Sequence, residues 1–349
     1  MWIYLLKRIL AMIPTLIGVL TITFLVTQFV PGGPVDHALN KIDSSAEGTG
    51  VSEGAWSYNG SQRVSPQQIE ELRTQYGFDK PVLTRYWQML NHFAHFDLGD
   101  SYFRSQSVWA LIQSRLAVSV SLGIWTFLLT YLVSVPLGVS KAVRAGSRFD
   151  FVTTLLVLVG YAVPGFVLGV LLILLFGGGS FWDIFPLRGL VSDNWSSLGW
   201  GGKITDYLWH VTLPVTASVI SNFALKTLLT KNTFLDEIHR QYVLTARAKG
   251  LSEGRIMWKH VFRNALLPLI TSFPGTFIAA FFTGSLLIET LFSLDGMGLL
   301  SFESINNRDY PVVLGTLYLF TLIGLITRLI GDIAYVLVDP RIKFDAQES

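Results

Sequence analysis

Long apolar stretches alternate with polar connections along this chain of 349 residues. The apolar runs are Ile9 to Val30, Leu116 to Val139, Phe151 to Phe176, Leu208 to Leu228, Leu266 to Leu287 and Pro311 to Val338. Each approaches or exceeds the roughly 20 residues that cross a bilayer as a helix. The pattern predicts an all-α polytopic membrane protein with six transmembrane helices. The first run is longer than the roughly 7–15-residue core of a signal peptide. Pro31-Gly-Gly-Pro34 follows it in place of a small-residue cleavage site, so it reads as a retained span. The longest polar section, 31–115, reads as a small extracytoplasmic domain. Within it, 41–65 is rich in Ser, Gly, Asn and Glu and reads as a loop. Pro66 then suits the first position of a helix carrying Ile69, Leu72 and Tyr76. Pro81 to Phe96 predicts a second amphipathic helix, with Tyr86, Trp87, Leu90 and Phe93 on one face. The chain so divides into 1–30, 31–115, 116–338 with a cytoplasmic connection at 229–265, and a tail, 339–349.

Basic residues orient these spans. Lys7 and Arg8 precede the first; Lys141, Arg144 and Arg148 lie between the second and third. Lys231, Arg240, Arg247, Lys249, Arg255, Lys259 and Arg263 lie between the fourth and fifth, and Arg341 and Lys343 in the tail. The short connections on the other side hold only Arg188, Lys203 and Arg308. Short basic connections stay in the cytoplasm, so both termini are expected there. Trp182, Trp195, Trp200, Tyr207 and Trp209 suggest anchors at the outer interface.

The most basic connection also predicts helix. Ala246 and Ala248 are strong helix formers, Gly250 is a plausible stop, and Ser252 opens a further turn. Two short helices broken at Gly250 would make a knob able to press into another protein.

Composition narrows the chemistry. Hydrophobic residues make up 51% of the chain and charged ones 14%, against about 25% charged in soluble domains; the mean hydropathy is +0.48. Lipid is therefore the solvent for much of the chain. A net charge of +2 does not suggest nucleic-acid binding. With no cysteine, disulfides, thiolate nucleophiles and cysteine metal sites are excluded. His92 and His95 can share a helical face but lack an obvious third ligand, so no metal site is expected. Neither a Gly-x-x-x-x-Gly-Lys-Ser/Thr phosphate loop nor a hydrolase or zinc-protease motif occurs, so no catalytic residue is assigned. Energy for uphill transport would have to come from a partner or an ion gradient, and no clear internal repeat supports the gradient.

Several spans carry polar groups. Ser218, Ser221 and Asn222 in the fourth, and Thr276 and Thr283 in the fifth, either line a wet path or bond backbone within their own helices. Lys226 is placed to snorkel to the inner interface. Pro274-Gly275 is expected to loosen the fifth span. Gly165 and Gly169 form a small-xxx-small pair that either permits close helix approach or is incidental. Arg328 and Asp332, at i and i+4 in the sixth span, read either as a gate element or as a structural pair near the interface.

Tyr242-Val-Leu-Thr-Ala-Arg-Ala-Lys-Gly250 followed by Asn264-Ala-Leu-Leu-Pro268 resembles the cytoplasmic loop of ABC importer permeases. Lys7-Arg8-Ile-Leu, Pro31-Gly-Gly-Pro34, Tyr76-Gly-Phe-Asp-Lys-Pro81, Asp97-Leu-Gly-Asp-Ser101, Gly296-Met-Gly298, Arg308-Asp-Tyr-Pro311 and Asp339-Pro-Arg-Ile342 resemble the dipeptide/oligopeptide group. Phe185 to Leu190, Lys203 to Trp209 and Trp258 to Asn264 carry a finer likeness to a branch associated with peptides and the peptide-nucleotide antibiotic microcin C. The loop departs from the older motif in lacking a leading Glu-Ala-Ala.

The resemblance implies the type I permease fold in a bacterial inner membrane. It also implies a complex with a second permease, ATPase subunits or a two-domain ATPase, and a periplasmic solute-binding protein. ATP and Mg would sit on the ATPase; this chain would bind no cofactor. Tyr242, Thr245, Ala246, Arg247, Ala248, Lys249, Gly250 and Leu251 would form the coupling element. The competing readings are a gradient-driven transporter, a membrane scaffold, and an importer of non-peptide solutes.

Overall fold

The computed structural model describes residues 2–30, 33–35, 70–71, 73–74, 77–177, 181–282 and 286–338. The 41–65 loop, most of the helix expected from Pro66, Thr283, Ser285 and the 339–349 tail lie outside them.

Helix α1 spans Trp2–Phe29, α2 Val82–Ala94, α3 Val108–Val143, α4 Arg148–Ala162, α5 Gly165–Phe176 and α6 Trp200–Ile238. Then come α7 Gln241–Ala248, α8 Glu253–Ile256, a single π turn over Met257–Val261, and α9 Phe262–Ala265. The last are α10 Leu267–Phe282, α11 Leu286–Leu291, α12 Met297–Asn306 and α13 Tyr310–Val338. Among the described residues, four helices are long and apolar enough to cross a membrane: Leu5–Phe29 within α1, α3, α6, and Tyr310–Ile333 within α13. Counting α4 and α5 as one bent span makes five. The fifth expected run corresponds to α10 and α11.

The third run is not the straight span expected. It bends by 92° between α4 and α5. Pro164 disfavours helical geometry at the residue before it, and Val163 is extended (φ −93°, ψ 119°). Pro274, by contrast, is carried inside α10 without ending it. α6 also begins eight residues before its apolar run, at Trp200.

One compact unit comprises the described residues of Met1–Leu5, Arg115–Leu299 and Ile323–Ser349. Here α6 is the shared wall. Close approach needs glycine: a Cβ on Gly138 of α3 would fall 2.5 Å from Thr230 Cβ and 2.8 Å from the Thr227 carbonyl. A Cβ on Gly165 would fall 2.7 Å from Ser221 Oγ. Gly169 faces Leu291, Phe292 and Ile288. The Gly165/Gly169 pair is thus a packing device, in agreement with its small-residue spacing. Leu213, Ala217, Ile288, Phe292 and Leu294 form a buried cluster beside it. Glu289 is buried and accepts from Ser119 Oγ at 3.1 Å and the Leu299 amide at 2.8 Å.

The second unit comprises the described residues of Leu6–Ser114 and Leu300–Leu322. The amphipathic helix expected over Pro81 to Phe96 is α2. Tyr86 meets Phe24 (5.5 Å between rings) and bonds Thr21 at 2.7 Å, while Phe93 meets Tyr318 at 5.2 Å. Two motifs noted in the sequence join here. Asp309 is buried and accepts from Ser101 Oγ at 2.5 Å and the Tyr102 amide at 3.0 Å. Burial pushes its carboxyl above the usual range. His92 Nδ1 is 2.7 Å from Asp97 and His95 Nδ1 is 2.8 Å from the Asn91 carbonyl.

Candidate functional site

The knob follows directly from α6. His239 ends that helix, Arg240 is extended (φ −70°, ψ 148°), and α7 starts at Gln241. Its end is a Schellman closure: Leu251 N–H donates to Ala246 O at 3.2 Å and Gly250 N–H to Arg247 O at 2.9 Å. That closure requires the left-handed backbone found at Gly250 (φ +77°). The helix stop read from the sequence is therefore where the chain places it. Ser252 precedes α8, as expected, but its side chain makes no capping bond.

One face of α7 is covered and the other is open. Val243 and Ala246 are buried among Ala142, Phe234, Ile256, Val261 and Ala265, with Tyr242 and Leu251 packed against that cluster. The Tyr242 hydroxyl donates to Glu237 at 2.6 Å; burial and this carboxylate raise its pKa. Tyr242, Ala246 and Leu251 therefore hold the knob to its base rather than forming its face. Thr245, Arg247, Ala248, Lys249 and Gly250 are exposed. Leu244 is 49% exposed and joins Arg247 and Ala248 at i, i+3 and i+4. The sequence reading passed over Leu244. Its only signal was that helical spacing. Arg247 reaches across the turn to Glu253 (2.7 and 3.1 Å), and this bond holds the Glu253 carboxyl below its usual range.

Behind the knob lies a charge cluster that the sequence counted only as loop charge. Lys141 is fully buried and donates to the Asp150 carbonyl (2.9 Å), Thr153 (2.8 Å) and Thr154 (2.6 Å). Its Nζ is 3.1 Å from the Asp150 carboxylate, whose two oxygens each lie 2.8 Å from Lys231 Nζ. The α3–α4 turn is thereby tied to α6 seven residues before the knob's approach.

Of the five residues offered as path wall, Ser218, Ser221 and Asn222 bond carbonyls one turn back in α6, and Thr276 does the same in α10. The hydroxyl of Ser221 also faces Gly165, which makes it a packing contact. Ser218 and Asn222 share a face with Lys226. The Nζ of Lys226 donates to Ser272 at 3.1 Å and Thr276 at 2.6 Å. Arg328 is exposed on α13.

Residues 134–344 match the family described as binding-protein-dependent transport system inner membrane component. The chain is 54% identical to the inner membrane ABC transporter permease protein YejB of Escherichia coli O157:H7, over 99% of both chains. It is 51% identical to the peptidoglycan transport system permease protein YejB of Agrobacterium fabrum, again over 99% of both. It is 31% identical to the oligopeptide transport system permease protein AppB of Bacillus subtilis, over 98% of this chain and 99% of that one. These relatives are named as permease proteins, one of them of an ABC transporter, which supports the importer reading and leaves the gradient-driven and scaffold readings without support. The apolar helices, the knob and the full-length likeness converge: this chain belongs to the binding-protein-dependent inner-membrane transport components, the multi-pass permease subunits of ABC importers.

Proposed function

We propose that this chain forms half of the membrane pathway of a peptide importer, with both termini and the knob on the cytoplasmic side. A second permease supplies the other half, and a periplasmic binding protein delivers the substrate. ATPase subunits, or one two-domain ATPase, hold the ATP and Mg and receive the face formed by Leu244, Thr245, Arg247, Ala248, Lys249 and Gly250. Closure of the ATPases moves the knob, and alternating access follows from rearrangement of the packed helices.

The observation that carries this reading is the knob itself: a short helix whose inner face is fixed by Val243 and Ala246 and whose outer face is free of core contacts. The charge count supports its cytoplasmic placement. Peptide chemistry is favoured by the relatives, whose names refer to oligopeptides and to peptidoglycan. Fragments of peptidoglycan carry short peptides, so a peptide end is the chemistry the two names share. Microcin C fits the same class.

The absence of cysteine allows a clean test. A single cysteine at Ala248 should cross-link to an ATPase subunit in the assembled importer. Gly250→Val places a β-branched residue at φ +77° and should reduce ATP-driven peptide uptake at least tenfold while the chain remains in the membrane. Labelling of that cysteine from the periplasmic side, or normal uptake by the Val variant, would refute the assignment.

A further inference from the structure

The polar stripe of α6 ends at a cation that no carboxylate among the described residues neutralises. Among the described residues, no Asp or Glu oxygen lies within 4.0 Å of Lys226 Nζ; its partners are two neutral hydroxyls, Ser272 (3.1 Å) and Thr276 (2.6 Å). The remaining side is aromatic: Nζ sits 5.5 Å from the centre of the Tyr131 ring. Tyr131 is flanked by Phe127 (4.7 Å) and Phe273 (6.3 Å), and among the described residues its own hydroxyl is buried without a hydrogen-bond partner.

Each feature points to a missing acceptor. A half-buried ammonium in an apolar segment is costly, and such groups are found paired or serving a passing ligand. Two neutral hydroxyls and a ring face leave its charge uncompensated. The orphan Tyr131 hydroxyl is a second, independent donor on the same aromatic wall, and a buried unsatisfied donor costs about 1–3 kcal/mol. A carboxylate is the acceptor that the ammonium lacks. The position also fits transit. Lys226 lies on one face of α6 with Ser218 and Asn222, and Asn222 is exposed. It lies five residues, about 7.5 Å of helix rise, before Lys231 at the charge cluster.

We infer that Lys226, with Tyr131, Ser272 and Thr276, forms a transient site for the C-terminal carboxylate of the peptide as it passes the inner half of the pathway. Every unmodified linear peptide carries that group whatever its side chains, so the site suits a carrier of varied sequences. The inference rests on the peptide-importer reading above. An anionic lipid headgroup presents a similar anion to the same cation, and the test separates the two.

The assembled importer, with its second permease, ATPase and binding protein, is reconstituted in vesicles of defined composition. Uptake of a free-acid peptide and its C-terminal amide is measured with the binding protein saturated by each, and its affinity for each is measured separately. The acid-to-amide uptake ratio should fall roughly tenfold in Lys226→Gln, the scale of one hydrogen bond to a charged group. Lys226→Arg should keep the ratio, and Tyr131→Phe should lower it in part. An unchanged ratio in Lys226→Gln, or an equal loss for both peptides, overturns the inference while leaving the importer reading intact. So does a Lys226→Gln defect that appears only in vesicles containing anionic lipid, which assigns the cation to a headgroup. Failure of the unaltered importer to move either peptide overturns both readings.

Discussion

Replacing Asp150 by Asn would leave the shape of the charge cluster intact and remove its one negative charge. Lys141 has no exposed side-chain surface and Lys231 only 18%; the carboxylate between them is 9% exposed. With an amide there, two ammonium groups share one neutral acceptor and repel each other across it. Breaking a buried ion pair by removing one partner costs about 3–5 kcal/mol, because the charge left behind stays desolvated. Lys141 keeps its bonds to Thr153, Thr154 and the Asp150 carbonyl, which places the cost toward the lower end. Lys231→Gln should cost less, about 1–2 kcal/mol, since Lys141 and Asp150 then neutralise each other. Combining the two changes removes a cation together with the carboxylate. The double variant should therefore be more stable than the sum of the single losses predicts, by about 1–3 kcal/mol. Detergent-induced unfolding in mixed micelles, followed by tryptophan fluorescence, would measure all three. A loss under 1 kcal/mol for Asp150→Asn, or strict additivity in the double variant, would show that the cluster is hydrated and does not clamp the α3–α4 turn to α6.

Three further outcomes are expected. Gly138→Ala puts a methyl 2.5 Å from Thr230 Cβ and 2.8 Å from a backbone oxygen of α6, so it should destabilise by about 1–3 kcal/mol, read as faster thermal inactivation; an unchanged half-life would show that α3 and α6 separate freely. Ser101→Ala removes the hydroxyl donor to buried Asp309 and should cost about 1–3 kcal/mol in the same unfolding assay, with Ser101→Thr recovering most of it. Leu244→Asn should leave stability within about 0.5 kcal/mol, because the side chain is half exposed. It should nonetheless weaken ATPase co-purification about tenfold; normal recovery of the ATPase would remove Leu244 from the docking face.

The elements that were legible in the sequence are those set by local rules. Runs of apolar residues gave the helices that became α1, α3 and α13, and Gly250 stopped α7 because only the left-handed region closes that turn. Pro164 carried an equally local signal that apolarity concealed: the run through it is uniformly greasy, yet the residue before a proline resists helix. Other features depend on partners far along the chain. Lys141 reads as an ordinary loop cation until Asp150 and Lys231 enclose it. The motif containing Tyr242, Leu244 and Ala246 was recognisable, but composition does not say which side of an eight-residue helix is covered. Phe234 and Val261 decide that by packing on Val243 and Ala246. Ser221 and Asn222 show the same limit at one-residue resolution. They lie 100° apart around α6, so one meets Gly165 while the other is exposed.

The placement of these features on α6 constrains how force can travel. A single unbroken helix, Trp200–Ile238, carries Lys226 at the stripe, Lys231 at the clamp and Phe234 in the knob's core. From Lys226 to Phe234 is eight residues, about 12 Å of rise, with no break in the hydrogen-bond ladder. A displacement of α7 therefore reaches Lys226 as motion of a stiff rod, and α4 moves with it through Asp150. On its other side the knob leads to α10 through α8, the π turn at Met257–Val261 and α9. A stroke of the knob that slides α6 against α10 would act on the bonds between them. The contacts that such sliding must remake are the bonds from Lys226 to Ser272 and Thr276. The same stroke that repositions the knob would then open or close the cation's shell, which couples access to Lys226 with the state of the ATPase.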